Sequence, residues 1–596
     1  MKPFCVFLNE FSGAGSKDVL VFSDPVGFVK CSSHEEVPAR FAELEKALDG
    51  GYYLAGSISY ELGHYFLAAP PSRESSFPLF AFGIFHSPLR ISLECFLASL
   101  PGDEYAVTNG HYTLPFREYA GVFSGIKDHL EKGNTYQVNL SFKYKFDLTG
   151  SPEAVFADMI RRQNAPYGSF VTYDEWAILS ASPELFFRRN NGVITVRPMK
   201  GTIARGASPG EDDGNRRRLA NSEKDRAENI MIVDLLRNDL GMISETGSVT
   251  PLSVFDIERY ETLFQMTSTV RSTVKKGIDL LGLFGGMFPS GSVTGAPKKR
   301  TVEIIRASEK EERLIYTGGL GFISPSRDSV FSVAIRTVLL DTSKAKGEMG
   351  LGSGLVHGSD PVSEYEECLL KGKFFTGSPR VRPFSLLETM LWENGSVFLL
   401  DLHLKRLSKS AEYFSVKYDI GHIRETLAKE TGWFVPPQKY RVRLLVDTAG
   451  NPSIGSSQIL DQPPALAVKT LLSKKRTDKR DIFLYHKTTN RDIYDTEFSL
   501  AREAGFFDVL FTNSDDQLTE GAITNVLIMN DGEYFTPPLE CGLLPGIFRE
   551  HLLSIAQIPI TEKVLYSKDL VRADKIFLMN SVRKLVPAIL VTDQRC

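Results

Sequence analysis

Two pairs of carboxylates stand out by their spacing. Asp225 and Glu228 lie three residues apart in SEKDRAENIMIVDLLRNDL. Glu364 and Glu367 lie three apart in SEYEECLLKG, with Lys371 one turn beyond Glu367. In a helix, residues three apart share a face, so each pair sets two negative charges side by side. Like charges at that spacing destabilise a lone helix slightly, so two such pairs invite a cation. Oxygen donors with no His or Cys nearby suit Mg2+, which takes one or two protein carboxylates and completes its shell with water and an anionic substrate. A single acidic helix face is more often merely solvated, so the pairs gain meaning only beside other motifs.

The 596-residue chain is long enough for about three to four structural units. Apolar content of 42% and charged content of 24% are ordinary for a globular protein. A net charge of -4 with scattered Lys and Arg argues against a nucleic-acid or membrane-surface binder. The six cysteines form no CxxC pair, which leaves neither a zinc ribbon nor a readable disulfide framework. The stretch MKPFCVFLNEFSGAG makes a poor signal peptide because Glu10 interrupts its apolar run. No apolar run approaches the ~20 residues needed to span a bilayer. A reducing cytosol is the expected compartment.

The elements that must position the carboxylates read coarsely. Residues 1–110 alternate short strands and loops without a chemical motif. From about Pro115, helical stretches such as Phe116 to Glu131 alternate with strand-like runs such as Gly168 to Tyr173, Ala177 to Ser180 and Phe331 to Leu340. Residues 376–383, TGSPRVRP, carry two prolines and a glycine before a new periodic run and read as a linker. Beyond it come strands (Arg441 to Asp447, Asp508 to Thr512, Thr524 to Met529) and amphipathic helices (His403 to Phe414, Thr496 to Ala504).

Eight motifs then follow one another in order: TYQVNL (135–140), SPELF (182–186), RPMKGT (197–202), KDRAEN (224–229), GSVTGAPKKR (291–300), YTGGLG (316–321), AIRT (334–337) and GSGLVHGSDPVSEYEE (352–367). Over residues 110 to 375 the chain resembles the chorismate-utilising enzymes: anthranilate synthase, isochorismate and salicylate synthases, and aminodeoxychorismate synthase component I. The resemblance implies chorismate as substrate. A metal between the acidic pairs (Asp225, Glu228, Glu364, Glu367) would hold one carboxylate. Arg336, Tyr316 and Lys371 would hold the other, helped by Thr294 and by backbone amides from Gly352 to Gly354.

The same resemblance implies Glu184 as the general acid that helps the C4 hydroxyl leave. Leu185, Phe186 and Phe187 around it fit a raised pKa. Lys200 is the discriminating residue. Anthranilate synthases carry a small residue at this place and aminate C2. Aminodeoxychorismate synthases carry lysine, which attacks C2 so that ammonia enters at C4. That amine must be deprotonated, and the nearby cation of Arg197 is expected to lower its pKa.

Gln137 stands where relatives that add water at C2 have a basic lysine, so amination is the implied reaction. Gln265-Met-Thr-Ser268 stands where related synthases often show a histidine segment, and the tryptophan-binding signature of feedback-regulated relatives is not evident. No Cys-His-Glu glutaminase pattern is readable. The resemblance therefore implies a separate glutamine amidotransferase subunit, with free ammonia as a substitute.

In the C-terminal part, LLETMLWENGSVFLLDLHLKRLSKSAEYF, YHKTTNRDIYD, TEGAITN, LLPGIFR and MNSVRKLVPA fall in sequence. Residues 384 to 590 resemble the fold-type IV pyridoxal-phosphate (PLP) enzymes, which include branched-chain and D-amino-acid aminotransferases and 4-amino-4-deoxychorismate lyase. The resemblance implies Lys487 as the lysine that takes the PLP aldehyde and Glu520 as the partner of the pyridine nitrogen. Arg406, Thr524 and the amides around Gly546 and Ile547 would hold the phosphate. Arg583 and Thr389 would meet the substrate, and Thr389 would help shuttle a proton. The family's opening strands look shortened before LLETM; either a partner protomer or the synthase part would complete that edge, and since the family's sites usually lie at dimer interfaces, a homodimer through this part is one expected arrangement.

The expected fold is α+β in the first half, two antiparallel sheets sandwiching helices, followed by a two-lobed α/β unit. The expected division is 1–110 as the variable N-terminal part of the synthase fold, 111–375 as the chorismate-binding region, 376–383 as linker and 384–596 as the PLP region. The implied function is 4-aminobenzoate synthesis in two steps, Mg2+-dependent amination of chorismate and then PLP-dependent loss of pyruvate. Anthranilate synthase fused to a class IV aminotransferase is the alternative, and Lys200 argues against it.

Overall fold

The computed structural model describes residues 4–8, 11, 18–70, 76–100, 104–162, 165–260, 263–376, 384–459, 467–555 and 559–591. Residues 377–383 of the expected linker lie outside the described residues. The chain divides into two compact units, Met1–Ile203 with Arg218–Arg380, and Ala204–Arg217 with Val381–Cys596.

The first unit holds two large antiparallel sheets. One runs, edge to edge, Leu89–Ser92, Asp18–Phe22, Phe4–Leu8, Tyr167–Tyr173, Trp176–Ser182, Thr337–Asp341, Lys346–Leu355, Val138–Thr149 and Ala106–Tyr112. The other has ten strands, with Met199–Ala204 at one edge and Gly27–Cys31 at the other. Side chains alternate along a strand, so each sheet has two faces to bury. Phe7, Phe22, Val171 and Ile178 of the first sheet meet Ala55, Phe85, Leu185 and Leu320 of the second in one shared core. Helices cover the outer faces. Phe116–Glu131, Pro152–Arg162 and Pro361–Thr376 pack with the first sheet, and Val37–Asp49, Glu223–Ile243 and Leu280–Met287 with the second. The α+β class and the two antiparallel sheets are as expected. The layer order is a correction: the sheets face each other and the helices lie outside, because both sheets carry apolar residues on both faces.

The helix Glu223–Ile243 shows why the acidic pair sits where it does. Ser222 caps its start by accepting from the Asp225 N–H (3.3 Å), and Glu223 and Asp225 occupy the first turn, where the helix dipole favours negative charge. Ile232, Val233, Leu236, Leu240 and Ile243 are buried at helical spacing. Full burial of each such side chain stabilises by roughly 1.5–3 kcal/mol.

The second unit has two lobes. A four-stranded antiparallel sheet (Ser396–Val397, Leu386–Glu393, Lys439–Val446, Pro452–Ile459) packs against helices Leu400–Tyr413 and Ile420–Thr431. A mixed eight-stranded sheet forms the larger lobe, with Val468–Thr477 parallel to both Asp508–Asn513 and Lys584–Leu590. The stretch carrying Lys487 bridges the lobes: its carbonyl accepts from Leu387 N–H (2.8 Å), and Thr488 pairs with Leu386. Among the described residues, no helix is long and apolar enough to cross a membrane.

Candidate active sites

In the first unit, two strands step from one sheet to the other side by side. Pro183 and Glu184 link Trp176–Ser182 to Leu185–Asn190, and residues 334–336 link Ser329–Val333 back to Thr337–Asp341. The steps are tied together by Val333 N–H to the Glu184 carbonyl (3.1 Å) and Ala181 N–H to the Arg336 carbonyl (3.0 Å). Arg336 has φ 51°, so the single strand expected from Phe331 to Leu340 is broken there. A long side chain in the left-handed region costs about 1–3 kcal/mol and persists only where the surroundings fix it.

These steps open a cavity of ≈ 390 Å³, lined by Glu184, Lys200, Asp225, Glu228, Tyr316, Arg336, Gly352, Gly354, Glu364, Glu367 and Lys371. Eleven of the residues singled out in the sequence thus share one space. Thr294 does not line it: its side chain is fully buried, and its hydroxyl donates to the Ser290 carbonyl (3.0 Å). Gly350 and Gly354 give the floor its shape. A Cβ at Gly350 would sit 2.0 Å from the Tyr316 ring. One at Gly354 would lie 2.9 Å from both Gln137 Nε2 and Lys200 Nζ, so the glycine leaves room for those two heads.

Glu184 is buried and its pKa is raised to about 7, chiefly by burial; the Ser292 hydroxyl, donating to Oε1 at 2.5 Å, pulls the other way. Lys200 is held below the usual lysine range by burial and by Lys371, while Glu228 opposes. The expected agent, Arg197, is instead paired with Glu258. Burial would push Lys371 down, but Glu367, 2.6 Å away, holds it above its usual range, and its Nζ also donates to the Gly352 carbonyl (3.1 Å). Gln265 donates to the Gly201 carbonyl (3.0 Å) and accepts from the Thr202 hydroxyl (2.9 Å), bracing the strand beside Lys200. The side-chain amide of Gln137 is buried and has no hydrogen-bond partner among the described residues.

The four acidic residues of this cavity have the donor chemistry of a metal site. All four are oxygen donors, as Mg2+ prefers. Glu364 accepts from the Ser359 hydroxyl (2.7 Å), Glu367 from Lys371, and Glu228 has Lys224 at 3.9 Å. Among the described residues, no three acidic, His or Cys side chains come together to hold a metal ion by themselves. The set fits an open Mg2+ site with one or two carboxylate ligands, completed by substrate and water.

In the second unit, a cavity of ≈ 880 Å³ is lined by Lys487, Glu520, Arg406, Thr524, Gly546, Ile547, Thr389 and Arg583, all singled out in the sequence, and also by Arg491, Tyr494 and Asn525. Burial, then Arg491 and Arg406, lower Lys487 to about 7, which favours the neutral amine. Burial raises Glu520 to about 8, although Tyr494 Oη (3.0 Å) and Asn525 Nδ2 (3.2 Å) donate to its two oxygens. A cationic ring nitrogen beside Glu520 would stabilise the charged carboxylate that burial disfavours, and Lys487 suits an aldehyde, so the residues fit PLP. Arg406 is aimed by Glu388, which accepts from Nε (2.9 Å) and Nη2 (2.6 Å) and from His403 Nδ1 (2.6 Å). Thr524 differs from expectation in one respect: its hydroxyl donates to Asp508 (2.6 Å). Gly546 and Ile547 open the helix Ile547–Ser554, which leaves backbone amides for a phosphate.

Ser292, Glu388, Tyr494 and Asn525 were missed in the sequence. Asn525 lies inside TEGAITN, and Glu388 is an acid within the otherwise apolar run LLETML, a signal that could have been used. Ser292 lies inside GSVTGAPKKR, but its meeting with Glu184 across 108 positions has no local signal.

The family described as chorismate binding enzyme matches residues 12–377, and the one described as amino-transferase class IV matches residues 385–591. Aminodeoxychorismate synthase component 1 of Klebsiella aerogenes is 38% identical over 254 residues, covering 43% of this chain and 56% of that protein. The protein of the same name from Escherichia coli (strain K12) is 32% identical over 340 residues, covering 53% and 74%. Among solved structures, anthranilate synthase component I from Streptococcus pneumoniae TIGR4 matches with a TM-score of 0.54 at 21% identity, covering 61% of this chain and 93% of that one, a likeness of fold. The chain spans 29%, 56% and 35% of the length of the first three curated relatives it matches. On these matches, the chain belongs to the chorismate binding enzymes, with a class IV amino-transferase domain following in the same polypeptide.

Proposed function

We propose that the chain makes 4-aminobenzoate in two steps, aminating chorismate to 4-amino-4-deoxychorismate in the first unit and releasing pyruvate from it in the second. The observation that carries this reading is one cavity holding a raised carboxyl, Glu184, a lowered lysine, Lys200, and two acidic pairs. Relatives named aminodeoxychorismate synthase support it.

In the first step Lys200 Nζ attacks C2 of chorismate, the ring double bonds shift, and the C4 hydroxyl leaves as water with the proton of Glu184. Ammonia then adds at C4 and the lysine departs from C2, returning its amine. Arg336, Tyr316 and Lys371 hold a substrate carboxylate. Asp225, Glu228, Glu364 and Glu367 would hold Mg2+ through one carboxylate of each pair, and the ion would neutralise the charge of the other substrate carboxylate. Ammonia comes from a separate glutamine amidotransferase, and the setting is cytoplasmic folate synthesis.

In the second step PLP, when bound, supplies an electron sink at the carbon bearing the amine. Lys487 Nζ takes the proton from that carbon, the adjacent C–O bond breaks as the ring becomes aromatic, and the departing enolpyruvate takes up that proton to become pyruvate. Glu520 holds the proton of the pyridine nitrogen. Arg406 with the amides at Gly546 and Ile547 holds the phosphate, while Thr389 and Arg583 face the substrate. A homodimer through this unit is part of the reading.

Intact-mass analysis after incubation with chorismate and Mg2+ but no ammonia tests the first step. A chorismate-minus-water adduct on Lys200 is expected. No adduct, together with full turnover in Lys200→Ala, would overturn it.

A further inference from the structure

The segment Ala204–Arg217 lies in sequence between Lys200 and the helix of Asp225 and Glu228, yet it folds with the second unit. Arg205 anchors it. Its Nε and Nη2 donate to the two oxygens of Asp212 (2.7 and 2.9 Å), and both side chains are buried. The guanidinium stands 4.2 Å over the Tyr413 ring and donates through Nη1 to the Tyr413 carbonyl (3.2 Å). The Tyr413 hydroxyl returns a hydrogen bond to the Gly206 carbonyl (3.0 Å). Asp212 also accepts the Gly206 N–H (2.9 Å), and a Cβ at position 206 would fall 2.1 Å from Asp212 N, so this closure needs glycine.

Tyr413 passes the contact on. Its ring lies on the His486 ring with centroids 4.3 Å apart, and Ser410 Oγ is 2.9 Å from His486 Nδ1. His486 is buried, and the next residue is Lys487. A cation over an aromatic face in a desolvated setting is among the stronger contacts of its kind, and a buried bidentate pair has little freedom to relax.

We propose that Arg205, clamped by Asp212, is a positioning residue for Lys487, holding Tyr413 on His486 and so fixing the backbone from which Lys487 enters its cavity. A segment that lies in sequence between Lys200 and Asp225 thereby supports the Lys487 site from outside its cavity. The inference rests on reading Lys487 as the lysine that binds PLP.

The test uses the full chain with Arg205→Met, Arg205→Lys and Tyr413→Phe. The visible absorbance of lysine-bound PLP is titrated against pH, and pyruvate release and chorismate consumption are measured separately. In Arg205→Met the titration midpoint should move by about half a pH unit or more. Pyruvate-releasing kcat should fall roughly ten-fold with KM and chorismate consumption nearly unchanged. Arg205→Lys should recover part of the loss. Tyr413→Phe removes one hydroxyl, should shift the midpoint in the same direction, and serves if Arg205→Met does not fold. An unmoved midpoint in both, or equal loss of both activities, would overturn the inference. A wild-type chain without a visible band in excess PLP would overturn the reading beneath it.

Discussion

Ser292 Oγ lies 2.5 Å from Glu184 Oε1, and its hydroxyl donates to a carboxyl that burial has raised to about 7. A donor to the charged form lowers a pKa, so this bond keeps Glu184 from rising further. An acid catalyst must carry its proton, so the amination rate should fall as pH rises through about 7. In Ser292→Ala the carboxyl loses its donor, and the alkaline limb should move to higher pH. A pH profile of kcat/KM with ammonia in excess checks both. A limb at the same pH in the variant would contradict the assignment.

Lys200→Ala should lower formation of the 4-amino product by at least about 10²-fold, as expected for loss of a covalent nucleophile, while chorismate still binds. Product assay and equilibrium binding separate the two effects. An unchanged rate would remove Lys200 from the chemistry.

Glu228→Gln and Glu367→Gln should each abolish the Mg2+ requirement's benefit, with turnover down roughly 10²-fold or more. In Glu367→Gln, Lys371 also loses its partner at 2.6 Å and should drop toward the lysine range that burial favours. Full activity in EDTA would contradict a metal at this place.

Glu388 is held at about 2: burial alone would raise it, but Arg406 and His403 together pull it down. A depressed acid contributes stability that is present above its unfolded value near 4.5 and lost as pH falls from there toward 2. Removing one partner of such a buried pair typically costs about 3–5 kcal/mol. Glu388→Gln should therefore destabilise the second unit and weaken PLP binding through Arg406. Denaturant melts with and without PLP measure it, and an unshifted midpoint would count against the pair.

Much of this was legible because helix spacing is local. Asp225 and Glu228, or Glu364 and Glu367, needed only their three-residue interval to be read as shared faces. The helix Phe116–Glu131 came with its apolar period. Relations between distant positions were not legible. Ser292 reaches Glu184 across the fold, and the cation that acts on Lys200 is the distant Lys371, because Arg197 is engaged by Glu258. The break at Arg336 was hidden because AIRT alternates like a strand, and only the two-sheet crossover demands its left-handed backbone. Nothing in residues 204–217 marked them as part of the second unit, since that depends on Arg205 finding Tyr413.

The full chain incubated with chorismate, Mg2+, ammonia and PLP should yield 4-aminobenzoate, identified by mass and fluorescence, with an equal amount of pyruvate. Anthranilate would contradict the role given to Lys200, and accumulation of 4-amino-4-deoxychorismate would contradict the role given to Lys487.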